Sequence, residues 1–295
     1  MPEGHTLRRL ALDLTAAFGG EVVAVSSPQG RFAADAAEID GTELVGADSA
    51  GKHLFIEFAG ERFVHIHLGL IGKLDVRRGP APPPVGAVRL RLVSRGRPSE
   101  ALRPGGREAD DPGWYADLRG ATRCDLVDAS RKAAVIAQLG PDPLRADADP
   151  EKAWRRIAAS ERSIGDLLMD QAVLAGVGNV YRAEVLFRHR IDPQRPGRTL
   201  RRAQWQAMWD DLVALMAEGV RLNRIDTVRP EHTPEAMGRP SRVDDHGGEV
   251  YVYRRAGQEC HICGTPVRTQ ELKGRNLFWC PRCQPTFRSR ARTAP

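Results

Sequence analysis

The chain has no long apolar run. Over 295 residues its uncharged apolar stretches fall far short of the roughly 20 residues a membrane helix needs. A transmembrane segment is therefore not expected. The N-terminus also lacks the basic, apolar, small-residue order of an export signal and carries Glu3 and Asp13 instead, so a cytoplasmic protein is expected. Cysteine is scarce at five residues, and no internal repeat is visible. Hydrophobic residues make up 41% of the chain, which excludes a disordered or fibrous protein and leaves enough apolar mass for two domains with real cores.

Charge is nearly balanced, at +6 overall, and its distribution is more informative than its sum. Residues 251–295 hold nine Lys or Arg and two Glu, a net +7 against a nearly neutral body. A basic terminal module of this kind is an electrostatic footprint for phosphates. A solvated basic tail is the alternative.

Periodicity divides the chain. The segments EVVAVSS, KHLFIEFAG, RFVHIHLGL, AVRLRLVS, WYADL and RCDLVD alternate at the period of strands and predict an antiparallel β-sandwich after a first helix at about 7–18. RRGPAPPPVG and READDPGW read as Gly/Pro-marked turns, and SRKAAVIAQLG as a short helix ending at Gly140. Beyond PDPLRADADP the strands give way to helices at about 150–160, 163–170, 178–189 and 199–222, which places a domain boundary near 140–150. The expected class is α+β with an N-terminal β-sandwich domain at 1–140, a helical domain at 141–250 and a terminal module at 251–295. Trp205, Met208, Trp209, Leu212 and Leu215 form a helical stripe best explained by core packing. The polar, Pro-rich stretch from Asn223 to Gly248 reads as a mobile loop.

Three constellations carry chemistry. Cys260, Cys263, Cys280 and Cys283 form C-x2-C-x16-C-x2-C, a spacing suited to one tetrahedral all-thiolate zinc ion on a β-hairpin. Two disulfides are the competing reading, which a reducing compartment disfavours. Lys273 and Arg275 fall at the hairpin tip, while Cys124 reads as a buried small hydrophobe and His261 as unneeded for the metal. The second constellation is Gly176-Val177-Gly178-Asn179 between apolar helical segments. Asn179 is the expected N-cap, and a helix N-terminus bordered by glycines is an anion site. A glycine turn between packed helices is the plainer reading. The third is MPEGHT itself. Once Met1 is removed, Pro2 offers a secondary amine followed by a carboxylate, although proline also simply favours the first turn of a helix.

MPEG, AGKHLF at 50–55, HLGLIG at 67–72, LGPDPL at 139–144, LLMDQAVLAGVGNVYRAEVLF and GRNLFWCPRCQ at 274–284 together resemble the formamidopyrimidine-DNA glycosylase and endonuclease VIII family. The resemblance runs in order over almost the whole chain and includes a helix–two-turn–helix segment. It implies a bifunctional DNA glycosylase and AP lyase of base excision repair, acting as a monomer on damaged double-stranded DNA with a flipped-out lesion and holding one structural zinc ion. Pro2 would attack C1′ of the damaged nucleotide. An α-amino group titrates near about 7.7 to 8.0, and an adjoining helix N-terminus pushes it lower, so a reactive neutral fraction exists at physiological pH. Glu3 would be the general acid/base and Lys52 a phosphate-contacting catalytic lysine. Asn179 and Arg275 would be phosphate clamps, with Gly176, Gly178 and Lys273 at the same DNA face. Leu70, with Ile71, would be wedged into the gap left by the everted base.

Two departures stand out. Thr6 replaces the second carboxylate of the endonuclease VIII motif, and ADLRGATRCD replaces the arginine-phenylalanine pair of the oxidised-purine branch, with Arg119 the only partial match. MPEG and the missing arginine-phenylalanine pair make oxidised pyrimidines the expected substrates, an assignment that Thr6 counts against, with 8-oxoguanine or formamidopyrimidine the alternative. A non-catalytic zinc-finger DNA-binding protein would not need Pro2, Glu3 and Lys52 together, and the ordered set of motifs disfavours a zinc-ribbon metabolic or RNA-binding factor.

Overall fold

The computed structural model describes residues 2–94, 112–243 and 248–288. The acidic stretch at 107–111, most of the expected READDPGW turn, and Arg290 and Arg292 of the basic tail lie outside them. The chain folds into two compact units. Pro2 and Leu7–Ala137 belong to one, whereas Glu3–Thr6 and Gln138 onward belong to the other.

In the N-terminal unit, α1 (Gly4–Phe18) begins three residues earlier than its apolar pattern predicts and continues with Leu7, Ala11, Leu14 and Phe18 buried. Their spacing at three and four residues gives one apolar stripe. Then follow β1 (Glu21–Ser26), α2 (Ala33–Ile39), β2 (Thr42–Ala50), β3 (His53–Phe58), β4 (Arg62–His67), β5 (Lys73–Arg78), β6 (Val88–Ser94), β7 (Trp114–Arg119), β8 (Arg123–Asp128) and α3 (Ala129–Ala137). The eight strands hydrogen-bond antiparallel in the order β5-β7-β6-β1-β2-β3-β4-β8 and build the β-sandwich. Their inward residues, among them Leu54, Ile56, Val64, Ile66, Leu90, Leu92 and Leu118, share one core with the stripe of α1.

Two of these strands do not follow from alternation. TELVGADSA carries two acids but is drawn into β2 by pairing with β1 and β3. KLDVRR is largely polar and becomes β5 at the sheet edge, where β7 is its one partner among the described residues and the outer face can stay wet. Cys124 is buried in β8, and burial pushes its thiol up to about 12, which makes it inert as a nucleophile.

The second unit is helical, then hairpin: α4 (Pro150–Ala158), α5 (Ile164–Leu167), α6 (Asn179–Arg188), α7 (Arg202–Leu222), α8 (Pro234–Met237), β9 (Arg268–Leu272) and β10 (Arg275–Trp279). Asp149 caps α4 ahead of Pro150, and Ser163 caps α5, both side chains that satisfy first-turn N–H groups. Trp205, Met208, Trp209, Leu212 and Met216 of α7 pack against Val180, Tyr181 and Val185 in one core, with Leu215 partly buried beside them. The stretch expected to be a mobile loop is tied down over much of its described length. Thr227 bonds Glu184 and the backbone of Glu249, the Arg229 N–H donates to the Tyr251 hydroxyl, and Arg239 pairs with Glu249. These partners are distant in sequence, so local composition gives no sign of them.

Candidate functional site

The N-terminus and the glycine turn meet through backbone and carboxylate. Gly4 N–H donates to the Gly176 carbonyl at 2.8 Å. The Glu3 side chain, fully buried, accepts from Gly178 N–H (2.9 Å), Val180 N–H (2.8 Å) and Tyr181 N–H (3.4 Å). These are N–H groups at the start of α6 that have no partner within the helix, where the partial positive charge of the helix end favours an anion. The anion site expected at this helix start is thus filled by the chain's own carboxylate.

The contact dictates the sequence of the turn. A Cβ on Gly178 would lie 2.4 Å from the Glu3 carboxyl carbon, and Gly176 takes φ +82°, a region that favours glycine. Gln171 brackets the same turn, accepting from Gly176 N–H and donating to the Val177 carbonyl. The structure corrects one expectation here: the N-cap is Gly178, and Asn179 is the first helical residue with no capping bond from its side chain. Of the N–H groups a capping Asn179 would take, Tyr181 N–H is held by Glu3 and Arg182 N–H by the Gly178 carbonyl.

Asn179 turns instead toward the hairpin. Its amide nitrogen donates to the Asn276 carbonyl at 2.9 Å, and Arg182 donates both to that carbonyl at 3.1 Å and to the Asn179 side-chain oxygen. Asn276 follows Arg275, so one buried guanidinium joins the start of α6 to the strand bearing Arg275. Burial lowers the Arg182 pKa to about 10. Lys273 occupies the turn of the β9–β10 hairpin with φ +51°, and Arg275 opens β10 opposite Leu272. Sequence reasoning missed Arg182 and Glu184. The available signal was a charged residue on each turn of an otherwise apolar helix, NVYRAEVLF. Glu184 is fully buried and accepts from Tyr251, Val252 and Tyr253 N–H groups and from the Thr227 hydroxyl.

The four cysteines converge. Their Sγ atoms all lie within 4.8 Å of one another, with Cys260 to Cys283 at 3.9 Å and Cys263 to Cys280 at 3.4 Å. A tetrahedral zinc ion with bonds of about 2.3 Å places its sulfurs about 3.8 Å apart, so the donor set fits one zinc ion and leaves no fifth protein ligand to explain. Among the described residues this is the one group positioned to hold a metal. His261 lies 3.4 Å from Arg255 rather than in the cluster. Gln284 ties the finger to the helices, accepting from Cys280 N–H and donating to the Ile191 carbonyl.

In the N-terminal unit Lys52 is the second residue of the two-residue turn joining β2 to β3, where Ala50 pairs with His53. Leu70 and Ile71 cap the turn after β4, closed by a Gly72 N–H to Leu68 carbonyl bond, and stand 53% and 83% exposed. Apolar side chains of this size on a turn tip lose hydration only when something covers them. Pro2, half-buried, belongs to this unit and is peptide-bonded to the anchored Glu3.

Comparison with known proteins matches three family descriptions in order. These are the formamidopyrimidine-DNA glycosylase N-terminal domain over residues 1–122, the formamidopyrimidine-DNA glycosylase H2TH domain over 139–229, and the zinc finger found in that glycosylase and isoleucyl-tRNA synthetase over 257–286. The chain is 51% identical to Endonuclease 8 1 of Mycobacterium tuberculosis over 288 residues, 96% of this chain and 100% of that one. It is 32% identical to the formamidopyrimidine-DNA glycosylase of Thermomicrobium roseum, covering 82% of each. In fold it is similar to the Lactococcus lactis glycosylase crystallised with abasic-site DNA, at TM-score 0.75 and 19% identity over 96% of this chain and 100% of that one. With the buried Glu3 on its helix, the four-thiolate finger and these matches together, the chain belongs to the formamidopyrimidine-DNA glycosylase and endonuclease VIII family, whose members are DNA glycosylases with AP lyase activity.

Proposed function

We propose that the protein excises oxidised pyrimidines from duplex DNA through a covalent Pro2 intermediate and then cuts the strand by β,δ-elimination. The observation that carries this reading is the seat of Glu3 on the first N–H groups of α6. A side chain held by three backbone donors fixes the backbone on which the neighbouring Pro2 amine sits, and a positioned nucleophile needs such an anchor. In the reaction, the amine lone pair forms the N–C1′ bond while the base leaves with the glycosidic electron pair. Protonation at O4′ and loss of the amine proton then open the sugar to an iminium ion. Removal of a C2′ proton expels the 3′ phosphate, and a second elimination expels the 5′ phosphate.

Glu3 is the group assigned to O4′. Its carboxyl group has four lone-pair directions, three of them taken by backbone N–H groups, so one remains to carry the proton that O4′ receives. Lys52, Asn179 and Arg275 are assigned to phosphates, with Gly176, Gly178 and Lys273 close to the same backbone. Leu70 and Ile71 are assigned to the space vacated by the flipped nucleotide. Zinc is structural in this reading: with four thiolates it has no open position for water.

Pyrimidine preference is supported by the 51% identity to Endonuclease 8 1 against 32% to the Thermomicrobium roseum glycosylase, and by the absence of the arginine-phenylalanine pair near Arg119. Single-turnover excision of thymine glycol, 5-hydroxycytosine, 5-hydroxyuracil and 8-oxoguanine, each opposite all four bases, tests it. A preference for 8-oxoguanine opposite cytosine refutes the substrate assignment. Borohydride trapping on abasic DNA by protein with a free N-terminus, and none after N-terminal acetylation, tests the nucleophile.

A further inference from the structure

Three histidines of the N-terminal unit have no place in the scheme above. Alternation puts His65 and His67 on one face of β4, and the ring of His53 on β3 lies 5.0 Å from His65 and 5.1 Å from His67 between centroids. His53 Nδ1 and His65 Nε2 are 2.8 Å apart, so one carries the shared proton and the other accepts it.

The burial of His65 decides which. Its Nδ1 is buried and has no partner. A proton there would be an unpaired buried donor, and it would also remove the proton from Nε2. An unfilled lone pair on Nδ1 is the cheaper state. Burial pushes the His65 pKa down to about 3, so the doubly protonated ring is not an option at neutral pH. His65 is therefore the Nε2–H tautomer and donates to His53 Nδ1, which leaves the single proton of His53 on its own Nε2. Burial lowers the His53 pKa to about 4, so this ring too is neutral.

His67 is set the same way by another contact. The Gly69 N–H donates to His67 Nδ1 at 3.2 Å. A backbone N–H cannot turn aside, whereas the Thr122 hydroxyl, 3.0 Å from the same nitrogen, can direct its proton to the His67 carbonyl. His67 then also keeps its proton on Nε2. Neither the His53 nor the His67 Nε2 is a buried unpartnered atom, and neither has a hydrogen-bond partner among the described residues. Cations border the pair: Lys52 acts on His67, and Arg123 on all three rings. Fixed neutral donors in a positive field suit an anion.

We propose that His53 is a DNA-backbone contact, donating its Nε2–H to a phosphate oxygen beside Lys52, and that buried His65 is the positioning residue that locks it in the donor tautomer. This rests on the DNA-repair reading above. A neutral donor adds direction to a phosphate contact without adding a cation, and that difference is measurable. Counterion release scales with neutralised phosphates, so loss of a cationic contact lowers the salt slope of log K by about one, and loss of a neutral donor leaves it unchanged.

Long-range ¹H–¹⁵N correlation of the histidine rings in the full-length zinc-loaded protein should show His53 and His65 as Nε2–H tautomers at pH 7, and the His53 ring should shift on adding a duplex with a tetrahydrofuran abasic analogue. H53A should weaken that binding about five-fold, the worth of one ordinary hydrogen bond, with an unchanged salt slope. H65L should leave His53 in mixed tautomers and weaken binding similarly, and H65Q, whose amide can donate to His53, should restore both. An Nδ1–H tautomer at His53, wild-type affinity in H53A, or a lowered salt slope in H53A each overturns the proposal. So does a ring that responds to inorganic phosphate at matched ionic strength but not to duplex. If wild-type protein traps abasic DNA while H53A binds normally, this inference fails and the Pro2 reading stands; if wild-type protein neither traps nor binds, both fall.

Discussion

Replacing Glu3 by Gln removes a negative charge and almost no volume, and its effect can be worked out from three distances. The carboxylate accepts from Val180 N–H on one oxygen and from Gly178 and Tyr181 N–H on the other. In E3Q one of those oxygens becomes an NH2 group, and the less damaging orientation points it at Val180. One buried N–H then faces a donor, a loss of about 1 to 3 kcal/mol, and the remaining bonds fall from charge-assisted to neutral, roughly 1 kcal/mol each. A total of about 3 to 5 kcal/mol should lower the melting temperature of the C-terminal unit by about 6 to 20 °C, at the 2 to 4 °C per kcal/mol expected of a domain of this size. Differential scanning calorimetry reads the shift, and release of zinc to a metallochromic dye reports that the transition belongs to this unit. Gly178→Ala attacks the same contact from the other side, because its Cβ would sit 2.4 Å from the Glu3 carboxyl carbon. The two changes remove one interaction, so their destabilisations should be strongly sub-additive in the double variant. An E3Q protein melting within 1 or 2 °C of wild type would show that the carboxylate is not anchored on α6 and would sink the account of how Pro2 is positioned. The result also bears on kinetics: loss of excision in E3Q would combine lost proton transfer with a loosened N-terminus, and the calorimetry separates them.

The remaining expectations are independent of that contact. Serine at Cys260, Cys263, Cys280 or Cys283 should release zinc and loosen the β9–β10 hairpin, seen as metal content by mass spectrometry and as loss of DNA affinity; full zinc occupancy in each single variant would contradict the four-thiolate site. Arg275→Ala should keep the metal but lower both affinity and salt slope, the latter by about one, and an unchanged slope would mean that Arg275 faces away from phosphate. Acid should destabilise the N-terminal unit through its histidines. Burial holds His53 and His65 at about 4 and about 3, below the ordinary value near 6.5, so the unfolded chain binds more protons between those values. Stability is then complete above about pH 6.5 and is lost as pH falls toward 4. H53A should flatten that part of the pH–stability curve measured by urea unfolding, and an unaltered curve would refute the buried neutral state.

What was legible in the sequence was what local spacing encodes. The two CxxC pairs named the zinc ligands, because a tetrahedral site needs two close pairs and the knuckle supplies each. The period of the apolar residues marked α1, α4, α6 and α7 and six of the eight strands, since a buried face must recur at the geometry of its element. β2, whose register shifts between Leu44 and Gly46, and β5, a polar edge strand, escaped because such strands owe their form to partners rather than to their own pattern. The cap of α6 was misread for a related reason. Asn179 is a good capping residue locally, yet of the donors it would take Tyr181 N–H is filled by a carboxylate at the far end of the chain, Glu3, and Arg182 N–H by the Gly178 carbonyl. The charges within NVYRAEVLF could be seen in the sequence, but their partners, the Asn276 carbonyl for Arg182 and the 251–253 amides for Glu184, could not. Likewise, the sequence places three histidines on two neighbouring strands, and only the tertiary structure decides which nitrogen of each meets a partner and which is left without one. Periodicity and metal spacing depend on residues near one another along the chain. Hydrogen-bond partnership and desolvation depend on which atoms the fold brings within about 3 Å, and no stretch of sequence contains that information by itself.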